Sequence, residues 1–124
     1  MPTHILGLRT TIYKVADIEK AKAWYAEAFA AAPTFDEPFY VGFTIAWFEL
    51  GLMPDDTPAD AKTANVLSYW GVEDIGGAVA RFIELGAAPD SDPVNVGGDI
   101  MVASVKDPWG NVIGLIYNPE FKLP

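Results

Sequence analysis

Two waves of the same hydrophobic pattern run along this chain. Leu6 to Val15 alternates irregularly between apolar and polar residues, is rich in Thr, Ile and Tyr, and predicts a strand ending just before Asp17. With Asp17 as N-cap, Ile18, Ala21, Tyr25, Ala28 and Phe29 share one helical face, which predicts a helix to about Ala30. Asn65 to Val72 predicts a second strand. Asp74 caps the helix that follows, with Ile75, Ala78, Phe82 and Leu85 on one face and Gly86 as its stop. Gly76 and Gly77 in its first turn each cost about 1 kcal/mol against Ala, so this helix depends on packing.

The intervening stretches are less periodic. Ala31 to Pro38, with two prolines, reads as a loop, and Phe39 to Leu52 as two short strands with a turn near Gly42 to Thr44. Met53 to Thr63 (MPDDTPADAKT) reads as an exposed, mobile linker. Asp90 to Val105 is expected to be a loop and strand region, with Gly97-Gly98 as a turn. Asp107 to Gly110 then forms a hairpin loop between Met101 to Val105 and Asn111 to Tyr117. Asn118 to Pro124 reads as irregular.

The waves are an internal repeat. Val15-Ala16-Asp17-Ile18 recurs as Val72-Glu73-Asp74-Ile75, and at the same offset of 57 Ala21, Ala23, Tyr25 and Glu27 meet Ala78, Ala80, Phe82 and Glu84. Each copy is a βαβββ unit that buries its apolar face poorly alone. Docked copies with a ligand groove between their sheets are therefore expected.

Composition narrows the function classes. With 124 residues, 51% hydrophobic and 20% charged, the chain suits one soluble α+β domain over 1-124. Its module one spans about 5-53, a linker 54-63, and module two about 64-118. No apolar run approaches the roughly 18 residues of a membrane span, and no signal peptide is visible. The absence of cysteine excludes thiolate catalysis and fits a cytoplasmic protein. A net charge of −9 repels phosphate backbones and anionic lipid, so neither nucleic acid nor membrane is an expected partner.

Three features together carry a family resemblance: the paired βαβββ pattern, Val-x-Asp before a helix with Trp24-Tyr25 or Phe82 in its third turn, and Asp107-Pro-Trp-Gly-Asn111 before the last strand. Over Leu8 to Pro119 the chain resembles the vicinal oxygen chelate superfamily, which contains glyoxalase I, extradiol dioxygenases, and fosfomycin- and bleomycin-resistance proteins. The resemblance implies two modules forming a curved mixed sheet around a cleft, with helices outside and a homodimer as the default assembly. In the metalloenzymes of that superfamily, His and Glu ligands project from the first and last strands of each module. The corresponding residues here are Thr10, Glu49, Leu67 and Gly114, so one ligand of four survives. Neither a metal nor another cofactor is therefore expected. His4, the only histidine, is expected to be a solvated terminal residue. No nucleophile-elbow pattern accompanies any serine, so a Ser-His-Asp triad is discarded.

Strand alternation extends the implied lining. Glu49 brings Trp47 and Gly51; Thr10 brings Leu8 and Ile12; Leu67 brings Tyr69; Gly114 brings Val112 and Ile116. The candidate ligand-binding residues are Thr10, Ile12, Trp47, Glu49, Leu67, Tyr69, Gly114 and Ile116. Ordinary core packing competes for Trp47 and Tyr69, and Trp24, Trp70 and Trp109 read as packing or interface residues. Glu49 stands out, because a carboxylate in the apolar run Ile45 to Leu52 is costly to bury unpaired. The expected function is metal-free binding of a small molecule in the cleft, as in antibiotic or metabolite sequestration. The alternative is a lyase or isomerase in which Glu49 is the catalytic general base on a small carbonyl substrate. That chemistry needs an oxyanion stabiliser for which the sequence offers no substitute.

Overall fold

The computed structural model describes residues 8–63 and 65–122, and the chain divides between Asp55 and Asp56 into two units. In unit one, β1 (Thr10–Val15), α1 (Ile18–Ala28), β2 (Pro33–Glu37), β3 (Tyr40–Ile45) and β4 (Phe48–Pro54) follow in order. They form a sheet ordered β1-β4-β3-β2, with β1 parallel to β4 and the other pairs antiparallel. Asp17 caps α1 by accepting from the Lys20 backbone N–H at 3.1 Å, as the sequence predicts. Alternation sends Tyr13, Val15, Val41, Phe43, Leu50 and Leu52 to a buried face, where α1 contributes Ala21 and Tyr25. Tyr25 stacks on Tyr13 at 5.6 Å and on Phe29 at 5.7 Å between ring centroids. Residues of this size contribute about 1.5–3 kcal/mol each when fully buried, so this layer holds the unit together.

Unit two repeats the plan with β5 (Tyr69–Gly71), α2 (Ile75–Glu84), β6 (Ala88–Gly97), β7 (Ile100–Lys106) and β8 (Val112–Tyr117), in the sheet order β5-β8-β7-β6. Asp74 caps α2 by accepting from Gly77 N at 3.0 Å, and Gly86 leaves the helix at φ +108°. The core holds Phe82, Ala87, Ala103, Val105, Ile113 and Leu115. Both units are thus βαβββ, as the repeat predicts, and each helix lies on one face of a mixed four-stranded sheet. No helix among the described residues is long and apolar enough to cross a membrane.

Several local expectations are corrected. The stretch read as a loop over Ala31 to Pro38 contains β2, whose Pro33 needs no ladder donor at the start of an edge strand. No turn forms at Gly42 to Thr44, which lie inside β3. The reversal is Ala46-Trp47, both at positive φ (+46° and +85°), between the paired Ile45 and Phe48. The strand expected over Asn65 to Val72 is regular only at Tyr69–Gly71. Within Asp90 to Val105, expected as a mixed loop and strand region, Asp90 to Gly97 lie in β6, an exposed edge strand with register shifts around Pro89 to Val94. Proline removes ladder donors, and the bulges absorb the loss. Within the expected linker, β4 runs on to Pro54 and Ala59–Ala61 form a 3-10 turn lying close against Gly110.

The Asp107 to Asn111 motif is a built hairpin loop. Asp107, only 4% exposed, accepts from the backbone N–H groups of Trp109 (2.9 Å) and Asn111 (2.8 Å) and from Asn111 Nδ2 (2.9 Å). Its carboxylate satisfies donors that a loop would otherwise leave stranded.

Candidate functional site

The face of the first sheet opposite its core gathers the polar chemistry. Thr10, Glu49 and Thr44 are direct cross-strand neighbours on β1, β4 and β3. The Thr10 hydroxyl donates to Glu49 Oε1 at 2.6 Å, the short distance of a bond to an ionised acceptor. A second donor comes from Tyr40, whose hydroxyl hydrogen bonds to the Glu49 side chain. Burial, then the Glu49 charge and this bond, raise the phenol above its ordinary pKa. Tyr40 is therefore a neutral donor well into alkaline conditions.

Glycine makes this placement possible. The Tyr40 ring lies on Gly51, where a Cβ would come within 2.6 Å of Tyr40 Cζ, and a Cβ on the facing Gly42 would meet Glu49 Oε2 at 2.9 Å. Phe35 extends the aromatic surface, 6.0 Å from Tyr40 and 6.2 Å from Phe39 between centroids. On the other side, Ile12 pairs with Gly51 in register and remains 44% exposed. The arrangement presents one carboxylate, held by two hydroxyls, beside apolar and aromatic surface.

Thr10, Ile12 and Glu49 are thus brought together on one face. Trp47 is not with them: alternation stops at Phe48, and Trp47 occupies the hairpin tip, 87% exposed. In unit two, Tyr69 and Gly114 are paired in register, and the Tyr69 ring lies on the glycine with Cδ1 2.8 Å from its Cβ position. Ile116 is two residues along β8, paired with Gly71, whereas Leu67 precedes β5 and is outside the ladder. His4 lies outside the described residues.

The register also revises the comparison of the two copies. Lys14 pairs with Met53, and its repeat counterpart Gly71 pairs with Ile116. Two residues back along each strand, Gly51 and Gly114 are equivalent, each under a tyrosine ring. The ladder counterpart of Glu49 is therefore Val112, not Gly114. Sequence reasoning missed Tyr40; the available signal was a pair of glycines inside apolar strands, which marks close approach by another group.

The donor set does not fit a superfamily-type divalent metal. Thr10, Leu67 and Gly114 supply no imidazole or carboxylate, and Glu49 is engaged by two hydroxyl donors. Among the described residues no three His, Cys, Asp or Glu side chains are grouped to hold a metal ion.

Comparison with solved structures places this architecture among known folds. A glyoxalase-related enzyme from Fulvimarina pelagi is similar at 15% identity, covering 97% of this chain and 94% of that one, with a TM-score of 0.77. The fosfomycin resistance protein FosX from Listeria monocytogenes, solved with Mn(II) and sulfate, is similar at 18% identity over 94% and 93% of the two chains, with a TM-score of 0.76. FosX from Mesorhizobium loti gives 17% identity, coverage of 94% and 95%, and a TM-score of 0.70. No curated protein matches the chain at a significant level. A family model matches residues 4–115, so the chain belongs to the Glyoxalase/Bleomycin resistance protein/Dioxygenase superfamily.

Proposed function

We propose that this protein binds a small molecule at Glu49 on the first sheet without using a metal, in the manner of antibiotic or metabolite sequestration. The observation that carries the reading is the Thr10–Glu49 hydrogen bond of 2.6 Å on a sheet face that also holds Tyr40, Phe35 and Ile12. A fixed carboxylate beside aromatic and aliphatic surface is the chemistry of a small-molecule site, with one polar anchor for orientation and apolar area for affinity. Membership of a superfamily that includes bleomycin-resistance proteins, and likeness to FosX, are consistent with antibiotic or metabolite handling. The proposal takes a homodimer in the cytoplasm as the working unit, the pairing supported by the exposed Phe39 and Met53. General-base catalysis by Glu49 is less favoured, because the hydroxyl protons beside it are directed at its own carboxylate rather than at a substrate oxygen.

Two measurements test the reading. Elemental analysis of protein purified without chelator should find no stoichiometric zinc, manganese, nickel or iron; finding one rejects the metal-free site. A thermal-shift screen of antibiotics and small metabolites should yield stabilising compounds whose effect disappears in Glu49→Gln. Full retention of that effect would remove Glu49 from the site.

A further inference from the structure

The geometry points to a ligand class: the Glu49 face takes organic cations and turns away phosphonates and other anions. This rests on the ligand site being on that face and adds the polarity of what it accepts. Hydroxyl protons decide the matter. Thr10 directs its proton to Glu49 Oε1 at 2.6 Å, and Tyr40 directs its own to the same side chain. The Thr34 hydroxyl donates to the Gly42 carbonyl at 3.3 Å and lies 3.4 Å from the Thr44 hydroxyl, a pair in which either oxygen can donate.

Thr10 and Tyr40 thus spend their single protons on the carboxylate. What they offer outward is lone pairs, around a carboxylate that keeps acceptor capacity of its own. Beside Glu49 an incoming phosphonate meets acceptors and a negative charge, whereas an ammonium or amidinium finds acceptors and a counter-charge. Along the four strands of this sheet, Lys14 is the only cation aligned with the same face. It is four residues from Thr10 along β1, about 13 Å away. The net charge of −9 adds long-range attraction of the same sign preference. Tyr40 and Phe35, 6.0 Å apart, supply ring surface against which a flat cation can lie.

The test uses three probes of matched size on the full chain: benzamidinium, benzyl alcohol and phenylphosphonate, by calorimetry at low ionic strength. Benzamidinium should bind about tenfold or more tightly than benzyl alcohol, with no phenylphosphonate binding. Glu49→Gln, checked for folding by circular dichroism, should abolish that preference, and Tyr40→Phe should weaken benzamidinium binding several-fold. Phenylphosphonate binding as tight as benzamidinium, or an undiminished preference in Glu49→Gln, overturns the inference. Benzyl alcohol binding alone, lost on substitution of Tyr40, overturns the ligand class and leaves the site standing. Binding of none of the three overturns both.

Discussion

The Tyr40 ring occupies the space that a side chain on Gly51 would need, with its Cζ 2.6 Å and Cε1 2.8 Å from the Cβ position. A methyl group there forces the phenol aside and separates its hydroxyl from Glu49. Gly51→Ala is therefore expected to lower stability by about 1 kcal/mol, the order of one hydrogen bond. Denaturant titration reads the loss, and tyrosinate absorbance should show Tyr40 ionising closer to its ordinary value.

Alkaline titration gives a second check. Tyr40 is raised by burial first, then by the Glu49 charge and hydrogen bond. The folded chain thus holds the phenolic proton more tightly than the unfolded chain, whose tyrosine titrates near about pH 10. Its stabilising contribution is complete below that pH and disappears as pH rises through the folded value. Stability of the native chain should fall over this window more than that of Tyr40→Phe, and equal slopes would contradict the Tyr40–Glu49 coupling.

The hairpin at Ala46-Trp47 carries two non-glycine residues at positive φ. Left-handed backbone costs roughly 1–2 kcal/mol per residue with a Cβ, and Asn-Gly suits such turns. Replacing the pair with Asn-Gly should raise stability by about 1–2 kcal/mol in urea unfolding. Unchanged or reduced stability would mean that contacts of Trp47 outweigh the relief.

Asp107 is the buried carboxylate on which the last hairpin depends. Asp107→Ala removes acceptors from two backbone N–H groups and the Asn111 amide, for an expected loss of about 3 kcal/mol. Asp107→Asn should lose less, because its carbonyl still accepts. A smaller loss for Ala than for Asn in chemical denaturation would rule out this role.

Much of the fold is legible without coordinates. Both N-caps, both helices and the duplicated βαβββ order follow from local periodicity and from the Val-x-Asp repeats. Edge strands were harder: β2 begins with proline and is mostly exposed, and β6 is exposed along its whole length, so neither carries the inside-outside alternation that betrays a strand. Trp47 departs from the face that alternation predicts for a related reason. Alternation carries a residue to a sheet face only while the strand continues, and β4 begins at Phe48, one residue after Trp47.

By itself the sequence determined the repeated supersecondary plan, the helix caps and the isolation of Glu49 in an apolar run, because each rests on residues close together in the chain. Tertiary structure alone decided that Thr10 and Glu49, 39 positions apart, meet at 2.6 Å, and that Tyr40 closes over a glycine to become the carboxylate's second donor. It also set Gly51 and Gly114, rather than Glu49 and Gly114, in equivalent places. Those relations depend on strand order and register. Register is selected by burial of one whole sheet face against a helix, so it is a property of the packed unit and not of any local stretch of chain.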